Sequence, residues 1–387
     1  MSGPAVPELV RSRRLLTGYF FGLGLVMAVW GARLPAVQQA AGLSTAGLAL
    51  VLLAAALGMV AGLQAAGRLA RPARLPALVT GGAIGLAACL AALGACDSLN
   101  ALLVVALLFG VAHGVLDVGV NSAAVRCQDA IGRPVMGAFH ASYSVGALLG
   151  AALAAVSAHL SYTLLFVAVG TVAGAAACAA ARANRCLVTT APELAPDPCR
   201  PVPQTSGGLS RGQLWLLGAL AAATLLGEGA AADWAAVHLH GLGATAAVSA
   251  AAFGFYSGAM AAGRLAADRL TARYGVPAVV RTGAALAALG LATGLADSTI
   301  VFALAGWTVF GLGLSVAVPS LITAAGPGGP RAVAHVSVTG YVGLLAGPAL
   351  IGALATLTSL TTALLLPALL AAAVAFLSRK ALENPAP

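Results

Sequence analysis

The feature that most constrains this chain is a succession of twelve apolar runs, each close to the ~20 residues that a membrane-spanning helix needs. Gly and Ala are frequent inside the runs, which is typical of closely packed membrane helices and not of barrel strands. We therefore predict an all-α membrane protein with twelve transmembrane helices. The runs lie near residues 15–36, 44–66, 76–96, 99–124, 136–158, 161–181, 212–238, 245–267, 276–296, 299–325, 331–357 and 360–379.

The composition excludes the soluble classes of protein. Of the 387 residues, 60% are hydrophobic and only 8% are charged, whereas a soluble domain carries about a quarter charged residues. A soluble enzyme, a disordered chain and a disulfide-stapled secreted domain are therefore excluded. The six cysteines form no Cys-x-x-Cys pair and the sequence has no phosphate-binding loop, so we expect no metal, no cofactor and no ATP-driven pump.

A Pro-rich segment divides the twelve runs into two sets of six. We predict an N-terminal six-helix bundle over 1–181, a cytoplasmic linker over 182–211 and a C-terminal six-helix bundle over 212–387. Offsets near 200 residues bring the two halves into register, as where Gly67-Arg68 matches Gly263-Arg264. Two parallel repeats of this kind predict a solute site between the halves near the bilayer midplane, with access alternating as the halves rock.

The basic residues fall almost entirely on one side of the predicted membrane. Of the 20 Lys and Arg residues, all but Arg33 lie in or flank the terminal tails, the linker or the loops that follow even-numbered runs. The positive-inside rule makes these segments cytoplasmic, so we predict a multi-pass protein of the cytoplasmic (inner) membrane with both termini inside. The net charge of +9 is then an orientation signal, and we expect no nucleic-acid partner.

The segment Gly263-Arg264-Leu-Ala-Ala-Asp268-Arg269 resembles the loop 8–9 signature of the major facilitator superfamily, and the likeness extends over the whole chain. Trp30-Gly-Ala-Arg33-Leu-Pro and Asp117-Val-Gly-Val-Asn121 resemble the YbjJ-type branch of that superfamily. The resemblance implies that helices 1, 4, 7 and 10 line a central cavity. It also implies that the signature acts as a gating latch between helix ends, with Asp268 in the acidic position.

Three polar residues of run 4 form the principal candidate site. His113, Asp117 and Asn121 follow at four-residue spacing, which stacks them on one helical face. Because ionisable groups inside the membrane are costly, this face is expected to point into the cavity. Our hypothesis is that Asp117 is the main proton-coupling residue, with His113 beside it and Asn121 contacting substrate. The alternative is an Asp that only bonds neighbouring helices, and for His113 the two interpretations are equal.

Two further ionisable residues lie within the runs. His140 in run 5 either contacts Asp117 or Asn121, and substrate with them, or is a packing histidine. Glu228 in run 7 has no partner on its own helix, so it needs one from another helix or must be protonated. It is a candidate second proton site or a contact to a polar solute. The flanking Gly227 and Gly229 permit a bend or a close approach of another backbone.

Four residues near the predicted outer side complete the candidates. Arg33 either reaches the outer headgroups, binds an anionic group of a substrate, or pairs with Asp233 or Glu228 as an outer gate. Asp233 is otherwise a solvated interfacial residue. Trp30 and Trp234 are either interfacial aromatic residues or a stacking platform for a substrate ring.

These observations predict a secondary active transporter, and not an enzyme, that moves a small polar organic solute by proton symport. Antiporter motifs of the superfamily are incomplete, since Gly110 stands where drug antiporters carry Arg in helix 4. Proton-antiport efflux of a drug or metabolite is the alternative, and a non-transporting solute sensor is a further one. The expected partners are the solute, protons and the lipid bilayer, and we expect a monomer.

Overall fold

A computed structural model describes residues 6–189 and 209–382, and within these ranges the chain forms helices and no strands. Twelve long helices follow one another in the order of the predicted runs, which confirms the predicted all-α architecture. Their bounds are Val6–Ala40 (α1), Thr45–Leu69 (α2), Leu75–Leu93 (α3), Leu99–Ile131 (α4), Met136–Val156 (α5), Tyr162–Ala180 (α6), Arg211–Gly241 (α7), Ala246–Tyr274 (α8), Val276–Ala296 (α9), Ile300–Leu314 with Ala317–Ala325 (α10), Gly329–Leu357 (α11) and Leu360–Ala363 with Leu365–Leu382 (α12).

The helices have the length and surface of membrane spans. Within the described ranges, ten stretches are long and apolar enough to cross a bilayer, and one of these, Ile300–Leu357, contains both α10 and α11. The remaining helix, α8, carries four charged residues in its second half. Large apolar side chains such as Leu148, Val172 and Phe376 are exposed on the outside of the protein. Such a surface suits hydrocarbon and not water, so the chain is a multi-pass membrane protein.

Short polar residues set where several helices begin. The side chains of Ser98, Ser161 and Ser210 each accept a bond from the backbone N–H three residues further on, at the starts of α4, α6 and α7. These bonds satisfy N–H groups that have no partner inside the helix. Gly132 and Gly275, with φ of 71° and 81°, follow the ends of α4 and α8, where their backbone conformation favours glycine.

Several helices differ from their predicted runs, since α1 begins at Val6 and not near 15, and α4 ends at Ile131 and not near 124. Run 8 ends at residue 267, but α8 continues to Tyr274, so the Gly-Arg signature lies within a helix and not in a loop. Hydropathy marks the apolar part of a helix only, and the good helix formers after 267 extend it. Run 10 is interrupted between Leu314 and Ala317. The cause is Pro319, which lacks an N–H for the carbonyl of Ser315 and clashes with it.

The chain divides into two compact units. The first contains residues 6–133, 142–189 and 328–335, and the second contains residues 134–141, 209–327 and 336–382. The first turns of α5 therefore belong to the second unit, whereas the rest of α5 belongs to the first. The first turns of α11 belong to the first unit, whereas the rest of α11 belongs to the second. The predicted boundaries at 181 and 212 remain a prediction, and residues 190–208 of the predicted linker lie outside the described residues.

Glycines let particular helices approach at backbone distance. Gly58 and Gly62 of α2 face the carbonyls of Leu107 and Val111 in α4, so closely that a Cβ atom would collide with them. Gly110 and Gly114 of α4 face α2 in return. This is the small-xxx-small pattern by which membrane helices pack, used on both partners. In the same way glycines join α1 to α5 in the first unit and α7 to α11 in the second.

Candidate functional site

The polar strip of α4 is buried in the first unit. His113 and Asp117 each expose 6% of their surface, and Asn121 exposes 1%. The Asn121 side-chain amide donates to the Asp117 carboxylate Oδ1 at 3.2 Å and to the Asp117 carbonyl at 2.9 Å. The three residues thus share a face, as their spacing predicts. A carboxylate that accepts a bond from a neutral amide can exchange that donor for a proton or a solute hydroxyl.

The packing of α2 explains why the strip is buried. Gly114 follows His113 by one residue, about 100° around the helix, and Gly110 precedes it by almost one turn. Both glycines touch the backbone of α2, at Met59 and Ala55 respectively. The polar strip therefore lies at the edge of the α2–α4 contact, where the glycines bring the two helices together.

Glu228 has a charged partner in the second unit. Its carboxylate Oε1 lies 3.6 Å from Nη2 of Arg264 on α8, and their side chains are 19% and 9% exposed. Of the two alternatives for Glu228, a partner from another helix is the one found. In the sequence repeat Arg264 matches Arg68 of α2, but Arg68 is exposed. The repeat therefore does not predict that only Arg264 is buried.

Two more polar residues lie around Arg264. The hydroxyl of Tyr256, which is almost completely buried, is within electrostatic range of both Glu228 and Arg264 and has no hydrogen-bond partner among the described residues. His140, from the first turns of α5, is within electrostatic range of Arg264. We call His140, Glu228, Tyr256 and Arg264 the Arg264 cluster. It joins an acid, a cation, a phenol and an imidazole inside one unit.

Tyr256 is the residue that sequence reasoning missed. Tyr256, Met260 and Arg264 follow at the same four-residue spacing that selected the strip on α4, and all three are buried. This four-residue spacing along α8 is the sequence feature from which Tyr256 could have been predicted. It was weak because tyrosine in an Ala-rich apolar run usually packs as a hydrophobic residue.

The glycines beside Glu228 serve close packing. A Cβ on Gly229 would lie 2.8 Å from the Leu344 carbonyl of α11, and one on Gly227 would lie 2.9 Å from the Phe310 ring of α10. The Leu344 carbonyl is the one that Pro348, four residues later, leaves without its helical N–H donor. Gly227 and Gly229 thus hold α7, and Glu228 with it, against two neighbouring helices.

Asp268 connects the end of α8 to the start of α5. Its carboxylate accepts bonds from the backbone N–H groups of Gly137 at 2.9 Å and Ala138 at 3.0 Å. An acidic group at a helix N-terminus is favoured by the helix dipole. Of the other signature residues, Gly263 packs against Ser315 of α10, and Arg269 is exposed.

Arg33 is occupied by contacts inside the first unit. Its guanidinium donates to the Ser157 carbonyl, to the Ser157 hydroxyl at 3.2 Å and to the Ala158 carbonyl at 3.4 Å. These carbonyls follow the C-terminus of α5, where they lack intrahelical donors and where a cation is favoured. Arg33 therefore stabilises a helix end, and a contact to substrate would have to share its donors.

The tryptophans have different surroundings. Trp30 is 4% exposed and packs between the rings of Phe109 and Phe166, with centroids 5.7 and 6.0 Å away. A ring enclosed on both sides is not an exposed stacking platform. Trp234 is half-buried beside Gly352 of α11, and its indole N–H has no hydrogen-bond partner among the described residues. The neighbouring Asp233 is exposed.

The geometry, taken with the comparisons, defines a class of protein. A multi-pass helical bundle with buried acidic and basic side chains inside its spans has the architecture of a membrane transporter. No family model matches the chain. It is 33% identical over 384 residues to the uncharacterized transporter y4wD of Sinorhizobium fredii, which covers 95% of this chain and 98% of the relative. It is 32% identical over 382 residues to an uncharacterized MFS-type transporter of Yersinia pestis, which covers 97% of this chain and 96% of the relative.

Solved structures show the same fold. The major facilitator superfamily transporter FucP in its outward conformation matches with a TM-score of 0.77 at 18% identity, covering 98% of this chain and 99% of FucP. A second structure, of FucP as the E. coli fucose:proton symporter, matches with a TM-score of 0.69 at 15% identity, covering 96% and 98%. The chain belongs to the major facilitator superfamily and is a transporter, not an enzyme. Its place in the YbjJ-type branch remains a prediction.

Proposed function

We propose that the protein is a secondary active transporter that moves a small polar organic solute by alternating access, in symport with protons. It acts in the cytoplasmic membrane with both termini inside, as its arginine distribution favours. The observation that carries the proposal is the ion pair between Glu228 of α7 and Arg264 of α8, whose side chains are 19% and 9% exposed. FucP, which shares the fold, is itself a fucose:proton symporter.

The Arg264 cluster links proton binding to solute binding. A proton on Glu228 removes the negative charge that lies 3.6 Å from Arg264, and this makes the buried guanidinium more costly. Arg264 then favours a carboxylate or hydroxyl oxygen of a solute, and His140 and the Tyr256 hydroxyl are positioned to assist it. When the solute leaves, Arg264 and Glu228 pair again and the proton is released. Proton and solute bind together in this scheme, so it predicts symport and not antiport.

The strip on α4 supplies the second element. Asp117 is the principal proton-coupling residue in our proposal, because it is a carboxyl group buried within a membrane span beside a neutral donor, Asn121. His113, one turn away, assists proton transfer. The Asn121 amide can donate either to Asp117 or to a solute. Protonation of Asp117 would therefore free this donor for the solute.

The bond from α5 to Asp268 is the proposed gate. It joins two helix ends through a charged side chain, so its loss should change the balance between inward-open and outward-open states without removing a substrate contact.

The proposal is tested in proteoliposomes after a solute has been found. A panel of sugars, polyols, hydroxy acids and amino acids is first screened by the rise in melting temperature that binding causes. Accumulation of the labelled solute is then measured under an imposed pH gradient, with sodium and reversed pH gradients as the other arms.

We expect Asp117→Asn and Glu228→Gln to lose accumulation at least about tenfold while keeping solute exchange without a gradient. Asp233→Asn, the same chemical change on an exposed residue of α7, should keep accumulation. Full accumulation by Asp117→Asn would refute its coupling role, and extrusion driven by the inward proton gradient would favour efflux. Solute binding without any exchange would indicate a sensor.

A further inference from the structure

We propose that the first unit binds an anionic phospholipid, with its phosphate at Arg11 and Arg14 and one acyl chain in a groove beside α1. The groove has a volume of about 360 Å³ and lies between α1, α3, α4 and α6. It is lined by apolar or small side chains apart from Tyr19 and the two arginines. We call it the α1 groove.

The dimensions of the α1 groove match one leaflet of a bilayer. Its lining on α1 begins with Arg11 and ends at Val26. The apolar part, from Leu15 to Val26, covers eleven helical steps, or about 16 Å. Half of a hydrocarbon core of about 30 Å is about 15 Å. A lipid whose headgroup contacts the arginines would thus have its chain along the whole apolar part.

Two glycines keep the groove open. A Cβ placed on Gly18 or Gly22 would meet no atom within 4 Å. By contrast Gly24, on another face of α1, is packed against the Tyr143 backbone of α5. No neighbouring helix therefore uses the space above Gly18 and Gly22. Glycine in a helix interior costs about 1 kcal/mol relative to alanine. Two glycines that no other helix contacts therefore indicate that another molecule fills the space above them.

The charged end of the groove provides donors for a phosphate. The side chains of Arg11 and Arg14 make no hydrogen bond or ion pair within residues 6–189 and 209–382, and both residues are exposed. Glu8, one turn earlier on α1, forms no ion pair with them in that part of the chain. Arg74 precedes α3 and Arg182 follows α6 at the same end of the groove, so the surroundings are strongly cationic. Guanidinium groups bind phosphate oxygens in bidentate geometry.

The occupant is a lipid because both parts of the site must be filled. A free phosphate would contact the arginines but leave the apolar groove empty. A zwitterionic lipid would fill the groove but bring a positive choline group to a cationic end. An anionic phospholipid satisfies both, and it is enriched where the positive-inside rule places these arginines.

The test measures lipid bound to the full-length protein by native mass spectrometry, with equal amounts of palmitoyl-oleoyl phosphatidylglycerol and phosphatidylcholine. Two arginine contacts near an anionic headgroup predict a preference of about 30-fold for phosphatidylglycerol. Arg11→Gln with Arg14→Gln should reduce the preference to about twofold or less. Arg13→Gln, on the same helix but outside the groove lining, should keep it.

A second pair of variants tests the groove itself. Gly22→Leu should lower the binding of both lipids about tenfold, because its side chain would project into the groove, where a Cβ on Gly22 meets no atom within 4 Å. Gly81→Leu also points into open space but does not line the groove, and it should bind as the native protein does. Equal binding of the two lipids by the native protein, or full binding by Gly22→Leu, would overturn the proposal. Displacement of the lipid by millimolar glycerol 3-phosphate would assign the site to a soluble phosphate instead.

Discussion

Replacing Glu228 by Gln tests the buried ion pair in the second unit. The carboxylate and guanidinium are 3.6 Å apart. At an effective dielectric constant near 20, two unit charges at this distance attract by about 5 kcal/mol. Part of that attraction only offsets the cost of removing both charges from water. The substitution should nevertheless cost about 3 kcal/mol, since it leaves Arg264 buried with its compensating charge removed.

The assay is thermal melting of the purified protein in detergent, at one fixed scan rate because unfolding is expected to be irreversible. With about 2.1 cal/mol/K of unfolding entropy per residue over 387 residues, a loss of about 3 kcal/mol corresponds to a melting temperature lowered by roughly 4 °C. Arg264→Gln should lower it by a comparable amount. The double variant should melt no lower than either single variant, because neither charge is then left without its partner.

Asp233→Asn is the matched control for this series. It makes the same kind of change five residues away on α7, at an exposed position, and should alter the free energy of unfolding by less than about 0.5 kcal/mol. If the two single losses simply add in the double variant, the charges do not interact and the proposed proton-linked exchange of partners is refuted. An unchanged melting temperature for Glu228→Gln would refute it equally.

Three further predictions concern helix contacts. Asp268→Asn weakens the bonds to the start of α5, so we expect a loss of about 1 kcal/mol and altered cysteine labelling from the two membrane sides. Gly110→Leu forces a side chain into the backbone of α2 and should abolish a monodisperse protein in size-exclusion chromatography, whereas Gly81→Leu, in open space, should not. Arg33→Gln removes the guanidinium bonds to Ser157 and Ala158 after the end of α5 and should cost about 1–3 kcal/mol; lost transport at an unchanged melting temperature would show that substrate binding, not helix capping, is its role.

Much of the architecture was predictable because the membrane imposes simple rules. A span must be about 20 apolar residues long and satisfy its backbone internally, so the runs located the helices. The frequent Gly and Ala residues inside the runs indicated close packing of the helices. The errors lie where polar residues continue a helix, as in α8 beyond residue 267. In such places the apolar run ends before the helix ends.

The candidate site was only partly predictable. A four-residue spacing shows which residues share a helix face, and it brought together Asp117 and Asn121, which are bonded to each other. It does not show which other helix that face meets. For this reason the partner of Glu228 was open, Tyr256 was missed, and Arg33 was considered for an outer gate and not for the end of α5.

The resemblance of the segment from Gly263 to Arg269 indicated the superfamily. The sequence by itself also determined the twelve apolar runs, the membrane environment and the short list of candidate ionisable residues. These follow from local properties: the length of apolar segments, the position of charges along the chain, and the cost of a polar group in hydrocarbon. The tertiary structure alone decided that Arg264 pairs with Glu228 while its repeat counterpart Arg68 is exposed, and that Arg33 caps α5. Such pairings depend on how helices distant in sequence are rotated against each other, and glycine contacts at backbone distance set that rotation here.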